Sequence, residues 1–254
     1  MLRGPIEVRR RVVAGNWKMH GSTATIERLL DALVQLHVPN TDILVFPPIA
    51  YLSTVIERTK GSGLAVGAQN IHAEPSGAFT GEVAAEMVKD LGATHVLVGH
   101  SERRRWFGET DAIVAGKFAA ALRVGLMPIL CVGETSAERD DGRAESVVMA
   151  QLDAVVATAG VATLRQAMVA YEPVWAIGTS RSATPADAQS MHSAIRARIR
   201  ALDAAVADGL AVLYGGSITD GNAAALFAGA DVDGGLVGGA SLNAGQFENI
   251  CRAA

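Results

Sequence analysis

The stretch MPILCV (127–132), followed by GETSAERDDGRAESVVMAQLDAVVAT (133–158), contains one complete unit of this chain's architecture. Its first six residues are apolar on both faces, which is typical of a buried parallel strand. The segment from Ser136 to Thr158 then carries apolar residues at helical spacing and predicts a helix. A strand followed by a helix is the repeating part of a βαβ crossover, so the stretch predicts a parallel sheet.

The same unit recurs along the whole chain, at about 32 residues per unit, the size of a βαβ step. Eight units in 254 residues fit a closed (β/α)8 barrel, an α/β fold, and no linker divides them. The sequence therefore predicts a single barrel domain over residues 1–254. The predicted strands are 11–16, 43–46, 64–69, 95–99, 127–132, 168–172, 211–215 and 235–238. The predicted helices are 22–36, 51–60, 81–91, 110–124, 136–158, 184–207, 219–228 and 241–251, with a further short helix opening near Ser101.

The composition argues against several classes of protein. Hydrophobic residues make up 50% and charged residues 19%, so disorder is not expected. The formal net charge of −4 gives no basic footprint for nucleic acid. No apolar run has the length of a membrane span or the placement of a signal peptide. Cys131 and Cys251 have neither disulfide nor metal spacing. We therefore expect a cytoplasmic protein with no nucleic-acid or membrane partner and no metal site.

Polar residues end most of the predicted strands. In a barrel the carboxyl ends of the strands meet at one rim, where the active sites of this fold lie. We therefore expect these side chains to converge. They are Asn16 and Lys18 after the first strand, Gln69 and Asn70 after the third, His100, Ser101 and Glu102 after the fourth, Glu134 near the fifth, Glu172 after the sixth, Gly215, Gly216 and Ser217 after the seventh, and Gly238 and Gly239 after the eighth.

The glycine pairs after the last two strands predict an anion site. Glycines just before a helix let backbone N–H groups approach an anion, and the loops after strands seven and eight of barrels often bind phosphate. Either pair alone is more typical of a tight turn. Both pairs in adjacent loops favour phosphate binding.

Glu172, His100 and Lys18 are the candidate chemical groups. Glu172 precedes a segment that begins with Pro173 and reaches Gly178, a pattern compatible with a hinged lid, beneath which a carboxylate can act as a general base. His100 at a helix start would stay neutral and donate a hydrogen bond. Lys18 could hold an anionic ligand. Taken singly, Glu172 is equally compatible with an exposed strand-end carboxylate, and Lys18 is more typical of a surface Lys.

Seven strings, in order and across residues 11 to 250, closely resemble the triosephosphate isomerase family. Seven ordered matches are far more specific than a lone glycine motif. The strings are AGNWKM (14–19), GAFTGE (77–82), VGHSERR (98–104), PILCVGET (128–135), YEPVWAIGT (171–179), YGGS (214–217) and LVGGASL (236–242).

The resemblance implies a TIM barrel that interconverts dihydroxyacetone phosphate and D-glyceraldehyde 3-phosphate in glycolysis and gluconeogenesis, without a cofactor. It implies that Glu172 is the base, that His100 is the electrophile, and that Lys18 and Asn16 stabilise oxyanion charge. Tyr214, Glu134 and Trp175 match positions that anchor the lid, and Ser101 and Glu102 match positions behind the catalytic groups. The implied substrate-binding residues are Asn16, Lys18, Gly178, Ser217, Gly238 and Gly239.

The resemblance also implies a homodimer. The loop 73–80, from Ala73 to Thr80, is similar to the family's dimer loop, whose threonine, here Thr80, reaches the neighbouring subunit's site near Asn16. The chain departs from the family pattern at Ser180 and Arg181 in the far hinge of the lid, and at His20. A Ser at a position that needs positive φ would be strained and could alter lid closure.

Three alternatives remain beside this interpretation. The same chemistry could serve a four-carbon ketose phosphate, a difference that only the pocket volume would reveal. The chain could instead be a non-catalytic phosphate-binding or adhesion barrel, which the intact Glu172, His100 and Lys18 argue against. A barrel of unrelated chemistry would be indicated if replacing Glu172 left isomerisation intact.

Overall fold

The computed structural model describes residues 9–177 and 183–254 as a closed barrel of eight parallel strands in sequence order. β8 pairs with β1 from Val12 and Gly234 to Gly15 and Val237, which closes the barrel. The predicted (β/α)8 barrel is confirmed. The strands are β1 (Arg11–Asn16), β2 (Thr41–Phe46), β3 (Ala65–Ala68), β4 (His95–Val98), β5 (Met127–Val132), β6 (Met168–Tyr171), β7 (Val212–Tyr214) and β8 (Gly234–Val237).

Helices follow the strands and form the outer layer. Ser22 caps the first helix through a capping box with Thr25, and Thr184 caps the helix that begins at Pro185, as predicted. The helices are α1 (Thr23–Leu33), α2 (Leu52–Thr59), α3 (Ala85–Asp90), α4 (Ser101–Phe107), α5 (Asp111–Arg123), α6 (Ser136–Asp140), α7 (Ala144–Ala159), α8 (Pro185–Leu202), α9 (Ala204–Gly209), α10 (Ala223–Phe227) and α11 (Ala244–Arg252).

Two predicted helices are each divided in two. The helix predicted over 136–158 is interrupted after α6, where Gly142 has a φ of 73°, a left-handed conformation incompatible with a continuing helix. The helix predicted over 184–207 ends at Leu202 because Asp203 is extended, and its carboxylate caps α9 by accepting from the N–H groups of Ala205 and Val206. The other predicted helices are shorter by a few residues, chiefly at their first turns.

Two apolar layers hold the barrel together. The outer layer lies between the strands and the helices and contains side chains such as Trp17, Phe118 and Phe247. The inner layer fills the barrel itself and closes the space between its two mouths. Its buried members are Val12, Ala14, Leu44, Phe46, Leu97, Ile129, Cys131, Met168, Ala170, Ala211, Leu213 and Leu236.

Because the barrel interior is packed, chemistry is confined to its ends. We call the end formed by the carboxyl termini of the strands the upper mouth, and the opposite end the lower mouth. Within the described ranges, no helix is both long and apolar enough to cross a membrane.

Candidate active site

A cavity of about 350 Å³ occupies the upper mouth. Every predicted site residue that the structure describes lines it: Asn16, Lys18, His100, Glu172, Ser217, Gly238 and Gly239. Ile177, which the sequence predicts to lie on an apolar cover with Trp175, lines it as well. Thr219 and Gln246 also line it, and the sequence patterns did not single them out for the site. Gly178, Ser180 and Arg181 lie outside the described residues. The strand ends therefore do converge, as the barrel geometry requires.

Glu172 and His100 meet on the wall of this cavity. Glu172 follows β6 and is 2% exposed, and its Oε1 lies 3.0 Å from His100 Nε2. Ser101 holds the same carboxylate twice, because its backbone N–H donates to Oε2 at 2.8 Å and its hydroxyl donates to Oε1 at 3.0 Å. Three donors from the β4–α4 junction thus fix a buried carboxylate in one position, which offsets the cost of burying its charge.

The hydrogen bonds of His100 define its tautomer. The residue caps α4, and its Nδ1 accepts from the backbone N–H of Glu102 at 3.2 Å. A ring nitrogen that accepts carries no proton, so the proton of the neutral ring is on Nε2, the atom that faces Glu172. A neutral imidazole with Nε2–H directed into a cavity can donate to a ligand oxygen.

Lys18 is held in a strained conformation at the end of β1. Its φ is 49°, in the left-handed region that residues with a side chain seldom adopt. Its N–H donates to Asn16 Oδ1 at 3.0 Å, and its carbonyl accepts from Gln69 Nε2 at 2.8 Å. Its ammonium group lies 2.6 Å from Glu102 Oε1. These contacts direct the Lys18 ammonium group to the cavity. Gln69, which the sequence indicated only as a strand-end residue, helps to hold the Lys18 backbone in place.

The glycine loops line the same cavity. Gly215 is required by close approach, because a Cβ there would lie 2.9 Å from Glu172 Cγ. Within the described residues, the backbone N–H groups of Ser217 and Gly239 donate to no protein acceptor. Lys18 Cε would lie 3.6 Å from a Cβ on Gly238, so the cation is close to the second loop. Two free N–H groups and an ammonium group suit a phosphate.

Glu134 anchors the first part of the lid segment. It is fully buried, and its Oε1 accepts from Trp175 Nε1 at 2.7 Å, from the Tyr171 hydroxyl at 3.0 Å and from Arg139 at 3.1 Å. The Arg139 guanidinium also lies 4.2 Å from the centre of the Trp175 ring. The short 3₁₀ turn Val174–Ala176 is thereby tied to the end of β5, and Ile177 reaches the cavity wall.

Three further groups behind the site carry shifted pKa values. Burial raises the pKa of Tyr214 to about 12, and burial together with Glu134 raises the pKa of Tyr171 above its usual value. Burial also raises the pKa of the Cys131 thiol well above its usual value, so this residue is a packing group and not a nucleophile. All three therefore stay protonated near neutral pH.

A buried ion cluster behind α4 was not predicted from the sequence. Glu109 Oε1 accepts from Arg103 at 2.5 Å and from Lys117 at 2.6 Å, and Lys117 also donates to Asn70 Oδ1 at 2.7 Å. Burial alone would raise the pKa of Glu109, but the hydrogen bonds from Lys117 and Arg103 outweigh it and lower the pKa. The cluster joins α4, α5 and the end of β3. Only Arg103, inside VGHSERR, and Asn70 carried a sequence signal.

No metal site accompanies these groups in the part of the chain that the structure describes. Over residues 9–177 and 183–254, no group of three or more His, Cys, Asp or Glu side chains is arranged to hold a metal ion.

Comparison with known proteins gives the same family across the chain. The family model described as triosephosphate isomerase matches residues 11–254. A triosephosphate isomerase of Thiobacillus denitrificans is 56% identical over 247 residues, covering 97% of this chain and 99% of that protein. Those of Dechloromonas aromatica and Pseudoalteromonas translucida are 53% and 49% identical, covering 97% of this chain and 100% and 97% of their own lengths. The chain therefore belongs to the triosephosphate isomerase family of isomerase enzymes.

Proposed function

We propose that this protein interconverts dihydroxyacetone phosphate and D-glyceraldehyde 3-phosphate through an enediolate. One observation carries the proposal: Glu172 Oε1 and His100 Nε2 lie 3.0 Å apart on the wall of a cavity that also holds Lys18 and both glycine loops. A base, a neutral donor, a cation and an anion site are the groups that proton transfer next to a phosphorylated carbonyl requires. The names of the relatives support the same reaction.

Glu172 acts as the general base. In the structure its carboxylate is bound by Ser101 and His100, so substrate must take over His100 and draw the carboxylate away from Ser101. Glu172 then removes a proton from C1 of the ketose and returns it to C2, which gives the aldose. Its burial, at 2% exposure, keeps competing water from the base.

His100 and Lys18 stabilise the charge that forms on the oxygens. The Nε2–H of His100 donates to the carbonyl oxygen, and the ring passes a proton between the two oxygens of the enediolate. Lys18 and Asn16 stabilise the oxyanion, and the strained backbone of Lys18 directs the ammonium group there before substrate arrives. Donors arranged in advance need no reorganisation in the transition state.

Phosphate binds to the backbone N–H groups of Ser217, Gly238 and Gly239, with Lys18 beside them. Gly178 joins them when the lid closes over the substrate. A closed lid prevents loss of phosphate from the enediolate, since it holds the phosphate group in place and keeps water out. With this reaction the enzyme would act in glycolysis and gluconeogenesis. We also propose that it is cytoplasmic and that it forms a single barrel domain.

The test measures isomerisation of D-glyceraldehyde 3-phosphate and of a four-carbon analogue by the wild type and by Glu172→Gln. We expect high turnover of the triose and a loss of roughly a thousandfold in kcat for the variant, since general base catalysis contributes about 10² to 10⁴. The control is Glu145→Gln, because Glu145 is exposed on α7. A stronger turnover of the tetrose would transfer the proposal to a four-carbon ketose phosphate, and an active Glu172→Gln would overturn the assigned base.

We also propose that the enzyme is a homodimer formed through the loop 73–80, with Thr80 reaching the partner's site. Large apolar side chains near this loop and near the upper mouth are exposed: Met19 at 94%, Phe79 at 44%, Trp106 at 66% and Phe107 at 68%. Large apolar side chains left exposed on one chain are candidates for burial in an interface. The loop itself is organised by His72, whose ring lies 4.2 Å from that of Phe79.

Light scattering tests the dimer. We expect the wild type to have twice the chain mass, and Phe79→Arg to be monomeric with little isomerase activity. Leu202→Arg is the matched control, because Leu202 is also exposed, at 43%, but lies at the end of α8. A fully active monomeric wild type would contradict the proposal.

A further inference from the structure

A second cavity, of about 410 Å³, opens at the lower mouth. It lies at the amino ends of the strands, across the packed interior from the site described above. We call it the lower cavity. The side chains that form its body are Val12, Leu44, Ala65, Met127, Met168 and Ala211, with His95 among them.

The lower cavity exists because its wall is made of small residues. Ala65 and Ala211 come from the starts of β3 and β7, and Gly63 and Gly209 stand at the rim beside them. The two longest apolar side chains are Met127 and Met168, whose thioethers are flexible and favour contact with aromatic rings. The wall is therefore apolar and adaptable.

His95 is the polar group of this wall. The hydroxyl of Thr94 donates to the carbonyl of Val66 at 3.3 Å, and the same oxygen lies 2.7 Å from His95 Nδ1. This contact engages Nδ1, and which of the two atoms donates depends on the tautomer of the ring. Among the residues that the structure describes, Nε2 has no hydrogen-bond partner. Burial lowers the pKa of His95 to about 4, so the ring is neutral near pH 7.

The charges at the rim are already paired. Arg10 contacts Asp42, and Arg165 lies 3.1 Å from Asp203. No uncompensated charge is thus offered to a ligand by either arginine. A neutral molecule suits the lower cavity better than a charged one, because an ion would have to be desolvated without a partner.

We propose that the lower cavity is a binding site for a small neutral aromatic alcohol of the phenol class. The ring packs between the methionine thioethers and the small apolar residues, and the hydroxyl, which can donate or accept, forms a hydrogen bond with His95 Nε2. Such a site is separate from the isomerase site, which uses the opposite mouth. A ligand there stabilises the folded barrel, since it binds the native state alone.

The test uses phenol and toluene, which have the same shape but differ in the hydroxyl group. The protein is labelled with ¹³C at its methionine methyl groups, and each compound is titrated by NMR. We expect saturable shifts at Met127 and Met168, and none at the exposed Met19 and Met87. Phenol should bind roughly three- to tenfold more tightly than toluene, the effect of one neutral hydrogen bond.

Two variants complete the test. His95→Phe should reduce the preference for phenol over toluene to about one, since it removes the hydrogen-bonding partner of the hydroxyl. Ala211→Leu should abolish the shifts because it fills the cavity, and a circular dichroism spectrum confirms that it folds. Isomerase turnover should be unchanged by saturating phenol. Equal affinity of the wild type for phenol and toluene, or shifts that spare Met127 and Met168, would overturn the proposal.

Discussion

The two mouths of the barrel hold two histidines from the same strand region, and they are used differently. His100, after β4, has both ring nitrogens engaged, one with the N–H of Glu102 and one with the Glu172 carboxylate. His95, the first residue of β4, has only Nδ1 engaged among residues 9–177 and 183–254. A short strand thus separates a histidine surrounded by charged groups from one surrounded by apolar groups. Position along one strand therefore decides whether an imidazole is placed for chemistry.

The ion pairs of the two ends differ in the same way. At the upper mouth, Lys18 and Glu102 pair with side chains 29% and 43% exposed, so both remain able to exchange partners. At the lower end, Arg196 is 2% exposed and is bound to both Asp231 and Asp233. Lys18 and Glu102 therefore remain available to a ligand, whereas Arg196 and its two aspartates hold helix and strand together.

The contrast between His100 and His95 is tested most strongly by replacing each histidine in turn. His100→Gln should lower kcat by roughly a thousandfold, since a positioned acid–base group contributes about 10² to 10⁴. His95→Gln should leave kcat close to the wild-type value, because its ring lies at the opposite mouth. Steady-state kinetics on both variants measures the effect. A large loss in His95→Gln would show that the two mouths are coupled.

The buried ion cluster at the lower end should control stability and not turnover. Asp233 accepts from Arg196 at 2.7 Å, from Arg9 at 2.7 Å and from the N–H of Val212 at 2.9 Å. Asp233→Ala leaves Arg196 buried without this partner, so the free energy of unfolding should fall by about 3–5 kcal/mol. Urea unfolding at fixed protein concentration measures it.

The matched control for that variant is Asp208→Ala. Asp208 pairs with Arg200 on the surface, with side chains 61% and 48% exposed. An exposed pair contributes about 0–1 kcal/mol, so this substitution should change stability little. Similar losses from the two variants would contradict the contrast between buried and exposed pairs.

The pKa of His95 makes the lower end sensitive to acid. In the folded protein it is lowered to about 4 by burial, against 6.5 for an ordinary histidine. As pH falls below 6.5 the unfolded chain binds a proton that the folded ring does not, so stability is lost as pH falls toward 4. Between pH 7 and pH 5 this amounts to about 2 kcal/mol.

Urea unfolding of the wild type and His95→Phe at pH 7 and pH 5 isolates that contribution. The loss of stability between the two pH values should be smaller in the variant by about 2 kcal/mol. Burial also lowers the pKa of His192 to about 4, and its contribution remains in both proteins. An identical pH dependence in the two proteins would contradict the assignment to His95.

The barrel and the grouping of its strand-end residues could be predicted because both follow from local patterns. The run 127–132 is apolar along its whole length and the run 11–16 is apolar between Arg11 and Asn16, and β5 and β1 have those bounds. Helix ends were harder, since Gly142 could have ended a helix or been tolerated inside one. Convergence of Glu172, His100 and Lys18 on one cavity needed only the barrel rule that strand ends share a rim.

The contacts and backbone conformations that hold the site could not be predicted, because local residue patterns do not determine them. The hydrogen bonds from Ser101 to the Glu172 carboxylate join residues 71 positions apart. The left-handed backbone of Lys18 has no glycine or asparagine to indicate it. The pairing of Glu109 with Lys117 depends on how the turn before α5 folds back. Each depends on tertiary packing, which residue patterns do not contain.

The pairing between neighbouring strands is uneven around the barrel. β7 and β8 share a single register pair, Tyr214 with Gly235, whereas β8 and β1 share four. Because few backbone hydrogen bonds join β7 to β8, amide hydrogen exchange should be faster between these two strands than elsewhere in the barrel. The loops proposed to bind phosphate leave from these same two strands, at Ser217 and Gly239. An anion bound to both loops would hold β7 and β8 together. Its binding should therefore slow amide hydrogen exchange most in these two strands, which are the least well paired without it.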